Sequence, residues 1–306
     1  MGIFHCPIGA AYYDDEPCID CGLCLAKTKE ESVEASKKMR EYLRSHNTIK
    51  SVTSKKVAIC GKGGTGKSTI TALLAIAIQK LINLVLVLDM DESNQGLYRM
   101  LGFTSQPKSL ISLLERFASG KSKQEAEWLK RNEISIESIP SKYILELNNL
   151  KFMMAGKIDD PFQGCACSIA DLARDFIQKL TVKDTEIVLI DMEAGIESFG
   201  RGVERGVDTA LIIVEPSFES LALAEKISYM ADGIGINKVR AILNKVPSTE
   251  IATDITNNLA KKNITAIGTV YLDDKIAKAS LEGKSLPADL KAESEINKIA
   301  QILLDI

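Results

Sequence analysis

The sequence predicts an α/β fold, a mostly parallel sheet of about seven strands flanked by helices, and two observations support it. From Lys56 onward, short apolar segments alternate with amphipathic helical patterns, which is typical of a parallel sheet covered on both faces. A glycine-rich motif also follows the first apolar segment and precedes the first helical pattern. We predict strands at residues 56–60, 84–89, 150–154, 186–191, 209–214, 238–244 and 265–270.

The composition is that of an ordinary globular protein and argues against several classes of function. The chain has 306 residues, 45% hydrophobic and 26% charged, and its net charge of −3 gives no electrostatic case for nucleic-acid binding. No apolar stretch approaches the ~20 residues that a membrane-spanning helix needs, and the N-terminus lacks a signal-peptide pattern. We therefore expect a cytoplasmic protein with no membrane partner. In that compartment its seven cysteines favour metal or redox chemistry over disulfides.

Residues 1–50 are predicted to form a cysteine-rich extension, and residues 51–306 the main domain. Three cysteines of the extension have the C-x2-C-x2-C spacing of ferredoxin cluster-binding sequences, and a further cysteine precedes them. Together they complete the ligand set of a [4Fe–4S] cluster, although a structural zinc ion and unused thiols remain alternatives. The predicted ligands are Cys6, Cys18, Cys21 and Cys24.

A short helix is predicted to connect the extension with the main domain. Thr28 and Glu31 have the spacing of a capping box, in which each side chain bonds to the other residue's backbone N–H. A helix should therefore begin here and end near Ser45. The polar stretch from there to Lys55 is predicted to be a linker.

The run GKGGTGKST, from Gly61 to Thr69, matches the phosphate-binding loop motif G-x-x-x-x-G-K-[ST] in the strand–loop–helix context that the motif requires. Its glycines let backbone N–H groups curl around phosphates at the N-terminus of a helix. Lys67 is then expected on the β- and γ-phosphates, and the Ser68 hydroxyl on Mg²⁺. The residues predicted to bind ATP or ADP in this loop are Gly63, Gly64, Thr65, Gly66, Lys67, Ser68 and Thr69.

The loop carries a second lysine, Lys62, where an ordinary phosphate-binding loop needs only Lys67. A lysine at this position can point sideways out of the loop, towards the phosphates bound by a second subunit. Nucleotide binding would then be coupled to formation of a homodimer across the face that carries the loop. The alternative is an ordinary solvated lysine.

Three aspartates follow predicted strands and are expected to face the loop. Asp89 and Asp91 end the second predicted strand, where carboxylates can hold Mg²⁺ or orient the attacking water. Asp191 ends an apolar strand as a Walker B aspartate does, and Gly195 provides the flexible backbone that a γ-phosphate-sensing switch needs. The predicted Mg²⁺ ligands are Ser68, Asp89 and Asp191.

The charged segment from Pro107 to Tyr143 is predicted to be helical and to form an insertion above the sheet.

A pair of cysteines follows this segment. Cys165 and Cys167 can reach one soft metal ion such as Ni²⁺ or Zn²⁺, but a closed thiolate site needs two further ligands. A twofold axis would supply them, in agreement with the dimer that Lys62 suggests. The alternative is a pair of buried cysteines acting as small apolar residues.

The motif KGGTGK, with both of its lysines, resembles the deviant P-loop of the family that includes nitrogenase iron protein, MinD, ParA and the CooC-type nickel chaperones. The run DMEAGIE at 191–197 and the C-x-C pair are most similar to the CooC-type ATPases. The resemblance covers residues 56–306. It implies that Lys62 reaches across a face-to-face dimer, that Asp91 positions the hydrolytic water and that Asn244 contacts the base.

The resemblance also implies that the cysteine pairs of two subunits bind a metal ion across the dimer interface. The predicted catalytic residues are Lys62, Lys67 and Asp91. Ser198 stands where histidine is expected in many relatives, so neither it nor Glu193 and Glu197 is assigned a role.

The resemblance predicts a maturation ATPase that dimerises on ATP and inserts nickel into a client enzyme of the carbon-monoxide dehydrogenase or acetyl-CoA synthase type. One alternative is an ATP-gated iron–sulfur electron donor or a cluster scaffold, which the N-terminal cysteines favour. A further alternative is a positioning ATPase of the MinD or ParA kind. Residues 292–306 lack the basic amphipathic character of a membrane-binding tail, and the overall charge does not suggest DNA binding.

Overall fold

The computed structural model describes residues 55–91, 96–113, 124–156, 166–200, 202, 206–236, 238–287 and 289–305, together with individual positions between 25 and 38. Its strands are β1 (Lys56–Gly61), β2 (Leu84–Asp89), β3 (Ile134–Ser135), β4 (Leu145–Leu147), β5 (Leu150–Met154), β6 (Leu180–Thr181), β7 (Glu186–Asp191), β8 (Thr209–Val214), β9 (Lys238–Val246) and β10 (Thr265–Tyr271). Its helices are α1 (Lys67–Ile78), α2 (Leu97–Met100), α3 (Ala166–Lys179), α4 (Glu197–Gly200), α5 (Phe218–Gly233), α6 (Thr249–Ala260), α7 (Asp274–Glu282) and α8 (Glu293–Leu304).

The predicted α/β fold is confirmed, and every predicted strand is present. The main sheet of the described residues has eight strands in the order β10-β9-β8-β1-β7-β2-β5-β4. All its neighbouring strands run parallel except β4, which pairs antiparallel with β5 at the edge. This edge strand was not predicted because it has only three residues. A two-residue hairpin turn joins it to β5, and Asn148 adopts the left-handed conformation there with φ 57°.

The strands of the sheet are apolar on both faces, and each face has its own core. In β1, Ala58 and Cys60 point to one core, whereas Val57 and Ile59 point to the other. Helices α3, α5 and α6 contribute side chains to the first core, and α1 and α8 to the second. Continuous apolar strands are expected in a parallel sheet that helices cover on both sides, because neither face meets water.

The prediction of a helical insertion between Pro107 and Tyr143 is wrong in part for the residues that the structure describes. Its described residues, 107–113 and 124–143, contain the helical residues 111–113, two 3₁₀ helices (Gln124–Lys130 and Ile136–Ser138) and the two-residue strand β3. Many of its described apolar residues belong to the core: Trp128 packs on Tyr143 and, edge to face, on Phe176 of α3, with ring centroids 5.7 and 6.1 Å apart. The described charged residues Glu127, Lys130, Arg131 and Glu133 are exposed and lie next to these buried residues in the sequence.

The predicted capping box before the main domain is confirmed. The backbone N–H of Glu31 donates to Thr28 Oγ1 at 3.1 Å, and the N–H of Thr28 donates to Glu31 Oε2 at 3.2 Å. Helical residues follow at several positions up to 38, and the predicted helix end near Ser45 lies outside the described residues. None of the helices described here combines the length and apolar character that crossing a membrane requires.

Candidate functional site

The candidate site lies at the carboxyl edge of the sheet, around the end of the central strand β1. This strand has β7 on one side and β8 on the other, and the chain leaves it through the glycine-rich loop into α1. Asp191, at the end of β7, lies in register with Asp89 of β2. Parallel α/β sheets bind ligands in the crevice at the carboxyl ends of their strands, so the topology brings the predicted site residues to the expected place.

The loop needs glycine at two positions for steric reasons. Gly61 has φ 138°, and a Cβ there would lie 2.6 Å from the carbonyl oxygen of Ile213 in β8. Gly66 has φ 91° at the N-cap of α1, and a Cβ there would overlap the side-chain amide of Asn244. Both residues therefore let the loop pass close to the neighbouring strands, which shapes a cradle of backbone N–H groups at the start of α1.

The two residues that end the motif are buried at the start of α1. Lys67 is only 6% exposed, and its ammonium donates to the carbonyl oxygen of Lys62 at 3.4 Å. Ser68 donates its hydroxyl to Asp191 Oδ2 at 2.6 Å. Thr71, one turn further along α1, lies with its Oγ1 3.4 Å from the other oxygen of the same carboxylate. Ser68 and Asp191 are thus in direct contact, and their roles in holding Mg²⁺ stay predictions.

Three carboxylates are gathered in this buried region. Asp89, Asp91 and Asp191 are 2%, 8% and 0% exposed, and the N–H of Asp91 donates to Asp89 Oδ1 at 3.1 Å. Burial raises the pKa of the Asp191 carboxyl above its ordinary value, and the nearby Asp89 carboxylate raises it further. Buried carboxylate oxygens beside a serine hydroxyl suit a hard divalent cation such as Mg²⁺, whose charge would offset their mutual repulsion.

The second lysine of the loop contacts its own subunit. The Lys62 ammonium lies 3.3 Å from Oε1 of Glu215, the residue that follows β8. The carbonyl oxygen of Lys62 accepts a hydrogen bond from Thr65 Oγ1 at 2.9 Å, which helps to close the loop. Sequence reasoning did not find Glu215, because nothing local connects it with Lys62, 153 residues away.

A cavity of about 510 Å³ opens beside the loop, and it extends the site beyond the predicted residues. Gly64, Gly66, Lys67, Ser68, Thr69, Asp91 and Asn244 line it as predicted site residues. Asn244 donates from Nδ2 to the carbonyl oxygen of Thr65 at 2.7 Å, so part of its amide already supports the loop, and its contact with the base stays a prediction. The remaining loop glycine, Gly63, approaches the Ala194 side chain.

The rest of the cavity lining was missed by sequence reasoning. It comes from α2, from the ends of β9 and β10, from the turn after β10 and from α7: Met100, Lys245, Tyr271, Leu272, Asp273, Ile276, Ala277 and Ser280. Lys245 donates to the carbonyl oxygen of Gly64 at 2.5 Å. Asp273 lies two residues after the apolar strand β10, just as Asp91 lies two residues after β2. The sequence pattern that identified Asp91 could therefore also have identified this turn.

The predicted cysteine ligands fall largely outside the described residues. Cys6, Cys18, Cys21, Cys24 and Cys165 all lie outside them, and for Cys167 the structure describes only its place in the first turn of α3. Within the described part of the chain no group of three or more His, Cys, Asp and Glu side chains is arranged to hold a metal ion, and the predicted Mg²⁺ set has only two carboxylates, Asp89 and Asp191, beside the Ser68 hydroxyl. The metal-binding roles of these cysteines therefore stay predictions.

Comparison with known proteins agrees with the site geometry. Residues 56–286 match the family model of the CobQ/CobB/MinD/ParA nucleotide binding domain. An uncharacterized ATP-binding protein of Methanocaldococcus jannaschii is 41% identical over 255 residues, which cover 81% of this chain and 99% of that protein. The carbon monoxide dehydrogenase accessory protein CooC of Rhodospirillum rubrum is 31% identical over 236 residues, covering 75% of this chain and 88% of CooC.

Solved structures show the same fold at low identity. MinD of Aquifex aeolicus aligns with a TM-score of 0.60 at 19% identity, covering 82% of this chain and 98% of that protein. MinD of Pyrococcus horikoshii, solved with Mg-ADP, aligns with a TM-score of 0.58 at 19% identity, covering 81% and 95%. The chain belongs to the CobQ/CobB/MinD/ParA family of nucleotide-binding domains and is a P-loop ATPase.

Proposed function

We propose that this ATPase is a metallochaperone that carries a nickel or zinc ion between two ATP-bound subunits and delivers it to a client metalloenzyme. The similarity to CooC, a carbon monoxide dehydrogenase accessory protein, is the observation that carries the proposal. The client would accordingly be an enzyme of the carbon-monoxide dehydrogenase or acetyl-CoA synthase type. The Cys165–Cys167 pair and the second loop lysine, Lys62, support it from the sequence.

The buried residues of the site fit the binding and hydrolysis of ATP. The loop amides and Lys67 would hold the phosphates, and Ser68, Asp89 and Asp191 would hold Mg²⁺, which neutralises phosphate charge when bound. Asp91 would accept a hydrogen bond from the attacking water and orient it towards the γ-phosphate. The cavity lined by Asn244 and the β10–α7 turn has room for the nucleoside.

ATP would act on the metal through the dimer. Lys62 of each subunit would neutralise phosphate charge in the other subunit, so two ATP-bound copies associate face to face. Each copy then presents Cys165 and Cys167 at the twofold axis, and the thiolates of the two copies together complete a closed site for a soft ion. Hydrolysis would weaken the dimer and release the cargo to the client.

Metal stoichiometry of the anaerobically purified full chain tests the cysteine assignment. With Mg²⁺ and a non-hydrolysable ATP analogue, we expect about 0.5 Ni²⁺ or Zn²⁺ per chain above any zinc or iron held by the N-terminal cysteines, since one ion is shared by two subunits. Cys165→Ser and Cys167→Ser should each lose this increment while nucleotide binding is retained. Cys60→Ala, which removes a buried thiol of β1, is the matched control and should keep it. An unchanged stoichiometry in both pair variants would contradict the proposal.

The second candidate is an ATP-gated electron donor or cluster scaffold, which the C-x2-C-x2-C pattern of the N-terminal extension favours. The family match begins at residue 56. The alignment with the Methanocaldococcus jannaschii relative uses 81% of this chain and covers 99% of that protein. We therefore propose residues 1–50 as an addition to the ATPase domain of residues 51–306. Iron analysis separates the candidates: about four irons per chain, lost in Cys18→Ser, would indicate a [4Fe–4S] cluster.

A further inference from the structure

We propose that Glu215 is a positioning residue that holds Lys62 on its own subunit until Lys62 binds instead to a phosphate in a second, ATP-bound copy of the chain. The ammonium of Lys62 lies 3.3 Å from Glu215 Oε1, and the two side chains are 39% and 21% exposed. The inference rests on the proposed role of Lys62 in the partner's site. It adds a competitor for that lysine, because one ammonium cannot pair fully with Glu215 and with a phosphate of another subunit.

The turn after β8 holds the backbone from which the Glu215 side chain extends. The N–H of Glu215 donates to Ser220 Oγ at 3.1 Å, and its carbonyl oxygen accepts from the N–H of Ser217 at 2.7 Å. Ser217 in turn caps α5, since its hydroxyl accepts from the N–H of Ser220 at 3.2 Å. The backbone of Glu215 is therefore held on both sides, and the acid stands beside the N-terminus of a helix, where a negative charge is favoured.

The backbone of the loop directs Lys62 towards this carboxylate. Gly61 pairs with Ile213 in the β1–β8 ladder and packs against its backbone, so Lys62 leaves β1 beside the end of β8. The carbonyl oxygen of Lys62 accepts hydrogen bonds from Thr65 Oγ1 and from the Lys67 ammonium. Phosphate binding by Lys67 would remove the second of these bonds. The arrival of nucleotide would thus loosen the segment that presents Lys62 to Glu215.

The contact between Lys62 and Glu215 shifts the monomer–dimer equilibrium but does not prevent dimerisation. A partly exposed ion pair changes an equilibrium by no more than about fivefold, because solvent screens it. A symmetric dimer breaks two such pairs, one in each subunit, so the dissociation constant of the dimer can change by up to about 25-fold. Loss of Glu215 should therefore strengthen the dimer and leave the nucleotide affinity of the monomer nearly unchanged.

Sedimentation of the full chain with Mg²⁺ and a non-hydrolysable ATP analogue tests the role of Glu215. Glu215→Gln should lower the dimer dissociation constant by about 5- to 25-fold relative to the wild type. Glu215→Asp keeps the charge on a shorter side chain and should give an intermediate value. Glu219→Gln, which removes the same charge from an exposed position in the first turn of α5, is the matched control and should match the wild type.

A double-mutant cycle separates competition for Lys62 from a general change in charge. In the Lys62→Gln background, Glu215→Gln should have no further effect on the dimer, because the two residues act through one contact. An unchanged or weaker dimer in Glu215→Gln, with normal circular dichroism and nucleotide binding, would overturn the role of Glu215 alone. A wild-type chain that remains monomeric with nucleotide would overturn the proposed dimer and the role of Glu215 together.

Discussion

The two ends of the central sheet both carry charged residues, but they use them differently. At the amino edge, Asp208 Oδ2 accepts hydrogen bonds from the N–H groups of Lys55 and Lys56 at 3.1 and 2.8 Å. The Lys56 ammonium donates to the carbonyl oxygen of Ile177 at the end of α3, 2.8 Å away. These contacts join the start of β1 to its neighbours, so the Asp208 carboxylate serves the fold at this end, whereas burial of the Lys56 charge opposes folding.

At the carboxyl edge, the buried carboxylates of Asp89, Asp91 and Asp191 are crowded, and like charges repel. Such an arrangement lowers stability unless a cation binds, which is expected of a site that is built for a ligand. The comparison teaches that burial of charge does not by itself indicate a functional site. A structural charge has hydrogen-bonding partners, whereas a charge in a ligand site lies beside groups of the same sign until the ligand binds.

The largest expected effect is the loss of activity in Asp191→Asn at the carboxyl edge. We expect ATP hydrolysis to fall on the order of 100-fold, since the residue contacts Ser68 where Mg²⁺ is predicted to bind. Without nucleotide and with EDTA, the free energy of unfolding should rise by about 1 kcal/mol, because a buried negative charge beside other carboxylates is removed. Hydrolysis assays and urea unfolding measure the two quantities. A variant that loses both activity and stability would contradict this account of the carboxyl edge.

Asp208→Asn is the corresponding change at the amino edge, and its effect should be on stability. The carboxylate accepts two backbone hydrogen bonds, and a weaker, neutral acceptor in its place should lower the free energy of unfolding by about 2 kcal/mol. ATP hydrolysis by the folded protein should stay within about twofold of the wild type, because the residue lies at the opposite end of β1 from the loop. A large loss of activity without loss of stability would remove the distinction between the two edges.

The smallest effect, and the one that depends on pH, is expected for Lys56→Met. Burial lowers the pKa of Lys56 from 10.5 to about 8, although Asp208 opposes the shift. Between these values the unfolded chain binds the proton and the folded chain does not, so wild-type stability gains up to about 1.4 kcal/mol per pH unit from this residue as the pH rises. The variant lacks this gain.

Urea unfolding at pH 7 and pH 10 measures this difference. We expect Lys56→Met to be more stable than the wild type by about 1 kcal/mol at pH 7, and the advantage to vanish or reverse at pH 10. Lys55→Met is the matched control, because Lys55 is partly exposed and pairs with the exposed Asp184. A stability difference that is the same at both pH values would show that the burial of Lys56 does not control it.

The sequence by itself determined the features that local patterns encode. Apolar runs of strand length predicted all the long strands, since a strand buried on both faces must be apolar throughout. The phosphate-binding loop and the capping box of Thr28 and Glu31 were readable because their hydrogen bonds join residues close in the chain. The aspartates at strand ends were found because parallel strands bring their carboxyl ends to one edge.

Only the tertiary structure decided the features that join distant parts of the chain. The segment from Pro107 to Tyr143 was predicted to be a charged helical insertion above the sheet, but apolar side chains among its described residues pack into the core with α3 and the sheet. Lys245 and Asn244 support the loop from β9, about 180 positions along the chain from Gly64 and Thr65. The pairing of Lys62 with Glu215 has the same origin, because it depends on β1 and β8 being neighbours in the sheet. No local pattern records which strands lie side by side, since that order is set by the packing of the whole sheet.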